Sequence, residues 1–422
     1  MKYLYIFILS CLTLNLYSQD SCKNYIHSYV MLDQAASKCI ETIQYFDGLG
    51  RSFMTVQKGV TPSRKNLLTE QWRDETGRLV EDRLPIVTTS DRVYSYKEAM
   101  ATYNDGVYYT EYAYDYSPLK RVISIMGPGE NFSRDLSTGY SSNKATGILL
   151  CKLYKVTFTG ELVLNGNYAE KELFVVREKD EDHNETYTFR DKQDRKVLVR
   201  QMLGDIPHDT YFVYDACDNL IFVLPPAYQD EPDLDLYAYQ YKYDNWGHCI
   251  EKKIPGCQPI KYVYDQADNL IFSQDGVQRE KLEWTFYLYD NFHRLTVKGI
   301  CGNTNTSSVS ERIVVCSLNK DDSGIIPDGL ENTGYSSDFE LVSPIIHQVN
   351  YYDDYSFLSL VGFQNRAKFP AQTVAANGFL TGSISSVLDT SAKLYTAAYY
   401  DIKGRPIRVT QDDHLGGYKI TV

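Results

Sequence analysis

Apolar and polar positions alternate along much of the chain, and the alternation stops again and again at an aspartate. Phe212 and Tyr214 precede Asp215, Tyr241 and Tyr243 precede Asp244, Tyr262 and Tyr264 precede Asp265, and Tyr287 and Tyr289 precede Asp290. A period of two puts each pair on one face of a β-strand. Asp then opens a four-residue turn, in which its carboxylate accepts a hydrogen bond from the backbone two residues on. The fourth position wants glycine, or Asn or Asp, which tolerate the left-handed region. Leu220 and Phe222, or Leu270 and Phe272, then resume the alternation on a returning strand. Each stretch therefore reads as a β-hairpin.

The recurring phrase is an aromatic residue, Asp, two free residues, Gly/Asp/His, then Arg/Asn/His. It occurs at Phe46-Asp47 with Gly50 and Arg51, and at Tyr214-Asp215 with Asp218 and Asn219. It returns at Tyr243-Asp244 with Gly247 and His248, and at Tyr264-Asp265 with Asp268 and Asn269. Two more copies are Tyr289-Asp290 with His293 and Arg294, and Tyr400-Asp401 with Gly404 and Arg405. Asp74 with Gly77 and Arg78, and Asp191 with Asp194 and Arg195, lack the aromatic. From Asp191 to Asp290 the aspartates lie 21 to 29 residues apart, one supersecondary unit per copy. An isolated hairpin is marginal in water, so the copies must pair side by side into a continuous sheet. The sequence predicts an all-β fold.

Composition sharpens this. The chain has 37 Tyr against 17 Phe, and Tyr is a strand former that buries a ring while keeping a wet hydroxyl. With 422 residues, 43% of them hydrophobic and 23% charged, global disorder is excluded. A net charge of −12 without a basic tract argues against nucleic acid or an anionic membrane surface as partner. Residues 1–18 read as a signal peptide: Lys2, the apolar stretch Tyr3–Leu16, then small Ser18. No second apolar run is long enough to span a bilayer, so an exported mature chain without a transmembrane segment is expected. Beyond Cys11 in the leader, eight cysteines remain. An even number permits disulfides in an exported chain. Cys249 and Cys257 flank Ile254-Pro255-Gly256 and could close a short loop; small buried thiols are the alternative.

These phrases resemble the YD repeats of RHS-type proteins, a group with bacterial polymorphic toxins, the shell component of insecticidal toxin complexes, and teneurins. The resemblance is closest to the large exported RHS-like proteins of Bacteroides-type bacteria. Glu41–Pro62 is similar to their amino-terminal domain, and Asp209–Pro226, Tyr262–Gly276 and Ala397–Val409 are similar to their repeats. The resemblance implies hairpins joined into a curved or spiralling sheet, a shell segment that encloses an effector or displays a binding surface. It implies an amino-terminal RHS-associated β domain over 19–150 and a YD-repeat sheet over 151–300. Residues 301–422 would hold a long loop insertion with degenerate and terminal repeats. Residues 301–345, rich in Ser, Asn, Gly and Asp, read as a surface excursion between strands. Tyr351-Tyr352-Asp353 reads as a decayed copy, and 372–394 as a short helix or further strands. No RHS core with its Asp-Pro-x-Gly signature and no effector domain follows the last repeat. A separately encoded core or effector is therefore an expected partner.

Catalytic signatures are missing. There is no H-E-x-x-H, nucleophile elbow, P-loop, dinucleotide fingerprint or C-x-x-C. The seven histidines are scattered, and His248 and His293 sit at turn positions. The repeated aspartates already have a structural task, so no catalytic residue, metal or cofactor is expected. Asp230, Glu231, Asp233 and Asp235, and the run Glu178–Asp182, read as solvated loops rather than calcium sites. The Tyr-rich faces suit ordinary sheet packing better than sugar binding. The expected function is a non-catalytic scaffold at the cell surface, in the periplasm or secreted, with a glycan or surface protein as partner. The alternative is the amino-terminal shell segment of a split or truncated toxin-delivery protein. A carbohydrate-active enzyme is the third reading.

Overall fold

The computed structural model describes residues 24–32, 39–89, 96–131, 135–321, 324–326, 329–372, 374, 376–388 and 390–421. The leader read at 1–18 lies outside them. The chain is mostly β-strand, in antiparallel sheets with few helices, and divides into two compact units.

The first unit takes in Met1–Cys151 and Asn167–His208. Its strands Asn24–Met31, Cys39–Phe46, Ser52–Lys58 and Asn66–Arg73 pair in series. Asn66–Arg73 then forks: its first half pairs with Ile86–Thr88 and its second half with Leu79–Arg83. From Leu79–Arg83 the sheet continues through Tyr109–Tyr114, Val122–Met126, Asp135–Ser142, Phe174–Lys179, Glu185–Arg190 and Lys196–Leu203. One face buries Ile43, Met54, Val56, Leu68 and Ile86, with Ala99 of the helix Tyr96–Tyr103 against them.

The second unit takes in Lys152–Gly166 and Asp209–Val422. Its sheet is a meander. It begins with Ile206–Tyr214, Leu220–Leu224, Tyr239–Tyr243, Cys249–Lys253, Ile260–Tyr264 and Leu270–Gln274. It continues through Trp284–Tyr289, Leu295–Cys301, Ile345–Asp353, Ala376–Ser386, Lys393–Tyr400, Pro406–Asp412 and Tyr418–Thr421. The period-two reading of these strands holds, with one refinement. Trp284, Phe286 and Leu288 are the buried set of their strand, and Tyr287 and Tyr289 face the half-exposed side. Tyr211 and Val213 are likewise buried, between half-exposed Phe212 and Tyr214. The tyrosine directly before the Asp thus faces the wetter side, while the inward face takes aliphatic residues together with rings such as Tyr211, Phe286 and Tyr351.

Residues 302–344 correct the expectation of a surface excursion. They connect two paired strands, and their described part supplies Val309, Val314, Cys316, Ile325, Tyr335 and Phe339 to the core. Phe339 meets Phe272 edge-on at 5.5 Å. The polar composition masked a sparse apolar set whose burial outweighs the solvation of its Ser and Asn neighbours. Tyr352-Asp353 ends a strand as expected of a decayed copy. In place of a tight turn, the segment after it folds Tyr355, Phe357, Leu358, Leu360, Phe363 and Phe369 into the same core. Residues Ala376–Ser386 form a strand. The loop after Pro225 forms two short helices, Pro226–Asp230 and Leu234–Tyr237. The second is capped by Asp233, whose carboxylate accepts from the Asp235 and Leu236 amides.

Phe357 is fully buried, stacked on Tyr351 at 5.2 Å and edge-on to Phe363 at 4.8 Å. Phe357→Ala should cost about 3–5 kcal/mol, read as a lowered urea midpoint. Val361→Ala, at a side chain 79% exposed, should stay within about 0.5 kcal/mol of the parent.

Candidate functional site

The repeated turn is the most regular chemical arrangement in the chain. In all eight copies read from the sequence the Asp backbone N–H donates to the carbonyl four residues on, at 2.9–3.1 Å. The amide of the fourth residue donates back to the Asp carbonyl. That fourth residue is always left-handed, with φ between 59° and 88° at Gly50, Gly77, Asp194, Asp218, Gly247, Asp268, His293 and Gly404. This is a type I turn closed by a left-handed residue, and the ladder slips by one residue beside it. The slip falls between Val213 and Tyr214, Lys242 and Tyr243, Val263 and Tyr264, and Tyr399 and Tyr400.

The carboxylate does more than the sequence reading required. Its Oδ1 accepts from the amides two and four residues on, as at Asp47, Asp74, Asp191, Asp215, Asp244, Asp265, Asp290 and Asp401. Its Oδ2 accepts from the side chain four residues on. The donor is Nε of Arg51, Arg78, Arg195, Arg294 or Arg405, Nδ2 of Asn219 or Asn269, or Nδ1 of His248, at 2.6–3.2 Å. The Arg51 amide is the first cause that holds Asp47 below the usual carboxylate range. The Arg405 side chain, then its amide, lowers Asp401 to about 2. Asp265 is the most enclosed of these carboxylates, 4% exposed, and its Oδ2 also accepts from the amide of Val314 in the packed insertion.

Several tyrosines that directly precede an Asp have a second partner that sequence reasoning missed. The hydroxyl of Tyr243 donates to the carbonyl of Leu220, Tyr264 to Cys249, Tyr352 to Leu295 and Tyr114 to Leu79, at 2.8–3.3 Å. Each acceptor is the first residue of the returning strand of the hairpin before it. The residue that ties the turn also reaches the next hairpin. His248 stacks on Tyr264 at 4.7 Å, Arg294 lies 4.4 Å over Tyr352, and Arg78 lies 5.0 Å over Tyr114. The Arg51 guanidinium lies where a side chain on Gly77 would stand, and the φ of 85° there favours glycine in its own right. Arg294 further holds Asp353 with two hydrogen bonds of 2.7 and 2.8 Å.

Further copies of the turn were missed. Asp180 with His183 and Asn184 makes the same bonds without a preceding aromatic, and Asp413 with Gly416 makes the backbone pair and the Oδ1 bond to the amide two residues on. At Thr61 and Thr157 a hydroxyl replaces the carboxylate and accepts from the amide four residues on. At Thr157 and Asp413 the signal is a glycine three residues on, Gly160 and Gly416, whereas Arg64 takes the left-handed region after Thr61 with no mark in the sequence. Asp115 closes a turn two residues longer through Arg121.

The proposed Cys249–Cys257 link is corrected: both are separate thiols. Cys249 starts a strand with its Sγ donating to the Glu251 carbonyl, and Cys257 lies exposed after the turn. Among the described residues no group of three or more His, Cys, Asp and Glu is arranged to hold a metal ion. Among them, too, no helix is long and apolar enough to cross a membrane.

Residues 22–145 match the model of a family described as a domain of unknown function (DUF6443). No curated protein matches the chain. Among solved structures, a crystal structure of TcdB2-TccC3-TEV aligns with 97% of this chain at 12% identity and a TM-score of 0.51. Crystal structures of TcdB2-TccC3, with and without its hypervariable C-terminal region, each align with 94% of it at TM-scores of 0.45 and 0.44 and 10% and 12% identity. The chain spans about a fifth of the length of each of these chains. At such identity the first likeness shows the fold: β-hairpins joined into a large antiparallel sheet.

Two outcomes follow from the turn. Asp265→Ala removes an acceptor from three amides and an Asn side chain in a closed setting. It should destabilise by roughly 2–3 kcal/mol in urea titrations, more than the single solvated turn would suggest. The second outcome concerns acid. Carboxylates whose folded values lie below the ordinary 3.8 bind fewer protons in the folded chain than in the unfolded one. Their contribution is complete above about pH 5 and is lost as pH falls from 3.8 toward about 2. The urea midpoint should therefore be level between about pH 5 and 7 and decline below 4. A midpoint that stays level down to pH 2 would contradict the tie.

Proposed function

We propose that this chain is a non-catalytic segment of an RHS-type shell, exported, of the YD-repeat kind found in Bacteroides-type bacteria. Its partner is then a separately encoded RHS core with its effector. The observation that carries the reading is the recurrence of one tie in eight turns, on a fold shared with part of a chain about five times longer. In this reading each hairpin is a course of the wall. The carboxylates are engaged by backbone amides and by their own Arg, Asn or His, so none stands as a free acid or base beside a substrate. Chemistry would come from the effector and enclosure from the sheet.

Co-expression with the RHS-core polypeptide encoded nearest to its gene tests this. A one-to-one complex on size exclusion is expected, with the effector shielded from added protease. Separate elution of the two chains, with the effector cut at the rate of the core alone, would sink the proposal.

A further inference from the structure

One hairpin of the second unit leaves the meander. Strands Lys152–Val156 and Leu162–Asn167 pair only with each other. Their turn is the threonine version of the tie, with the Glu161 amide donating to Thr157 Oγ1 at 3.0 Å. The hairpin is anchored at its base: Tyr154 meets Tyr211 edge-on at 5.0 Å, and its hydroxyl donates to Gln229 Oε1 at 3.0 Å. Its tip, Phe158, is fully exposed.

Beside it the Asp244 turn carries Trp246 at its own tip, 77% exposed. The two tips border one groove of about 850 Å³, lined also by Asn219, Tyr241, Lys242 and Glu251. That volume suits a small ligand or a few units of a polymer. Turn tips are ordinarily polar, and two large rings left in water at neighbouring tips, facing the same groove, call for an occupant.

The charge state of the groove narrows the chemistry. Asp215 and Asp244 line it, but each accepts from two amides and one side chain of its own turn. Glu251 is paired with Lys242 at 2.8 Å. No carboxylate in the groove waits for a cation, and its one lysine is matched. The remaining offer is two aromatic planes, amide and carboxylate lone pairs with capacity for further donors, and the Tyr241 ring with its hydroxyl. An uncharged molecule with C–H faces and many hydroxyls fits all of these at once. We propose that this groove binds a neutral oligosaccharide, stacked on Trp246 and Phe158. The proposal stands whether or not the chain belongs to a shell.

The test is calorimetric titration of the full chain with maltotetraose, cellotetraose, mannotetraose and tetra-N-acetylchitotetraose at millimolar concentration, with a neutral Gly-Ser peptide as comparison. Saturable binding of at least one sugar is expected. Trp246→Ala and Phe158→Ala should each weaken it by about tenfold or more, with the circular dichroism unchanged. Trp72→Ala, at a partly exposed ring in the first unit, should leave it as it was. No saturable heat with any of the four sugars overturns the proposal. Binding that survives the loss of both rings also overturns it, as does saturable binding of the peptide alone.

Discussion

Everything in this chain's regularity depends on one carboxylate accepting two backbone amides at once. A type I turn followed by a left-handed residue leaves the amides two and four residues after the Asp pointing inward, with no strand to receive them. Oδ1 takes both. Without it the turn would bury or strand two donors, each costly to leave unpaired. Meeting that need sets the position of the one-residue slip in the ladder, and the slip sets the parity of the strand beyond it. Once parity is set, the residue before the Asp always faces the half-exposed side, where a tyrosine hydroxyl can reach the carbonyl of the preceding hairpin. Local turn chemistry thus becomes long-range order, one hairpin at a time.

The two faces of the sheet divide the labour. The inward face of the second unit is a dry aromatic core: Tyr351 lies between Tyr335 and Phe357 in near-parallel stacks, and Phe363 is edge-on to Phe357, Phe369 and Tyr395. Burial pushes the Tyr399 hydroxyl up to about 12. The other face uses rings differently, as platforms for His248 and Arg294 and as donors to backbone, and Tyr114 does the same for Arg78 in the first unit. At positions 114, 243, 264 and 352 a Phe could pack but could not tie one hairpin to the next.

Most of the fold was legible because its rules are local. Alternation names a strand within five residues, and Asp followed three residues later by Gly, Asp or His names a turn within four. What failed to read was what depends on contacts distant in sequence. Residues 302–344 look solvated because their apolar residues are spaced to match a sheet formed by other segments, and nothing in the segment states that match. The role of the fourth residue after the Asp was half legible. Arg, Asn and His share a donor able to reach Oδ2, but their overlap with the following tyrosine needs the neighbouring hairpin in place. Thr61 and Thr157 were invisible to a search for Asp, though a hydroxyl oxygen serves one of the two amides. The groove beside Phe158 was illegible for the same reason as the insertion, since it joins turns nearly ninety residues apart.

The geometry of the turn also separates what must be kept from what can change. At the two residues after the Asp the shared bonds use only backbone, though Thr76 adds its hydroxyl to Asp74 Oδ1 at 2.8 Å and the Phe292 ring lies under Arg294. Cys217, Trp246, Phe292 and Lys403 occupy the same place in four turns with the same hydrogen bonds behind them. A residue at that place can become aromatic, aliphatic or charged without cost to the amides that hold the hairpin. Turn tips are therefore where such a repeat can acquire recognition, as loops on rigid scaffolds do generally. A fold that commits its carboxylates to structure keeps its chemical variety at the tips, and this chain has set two of its largest exposed rings there.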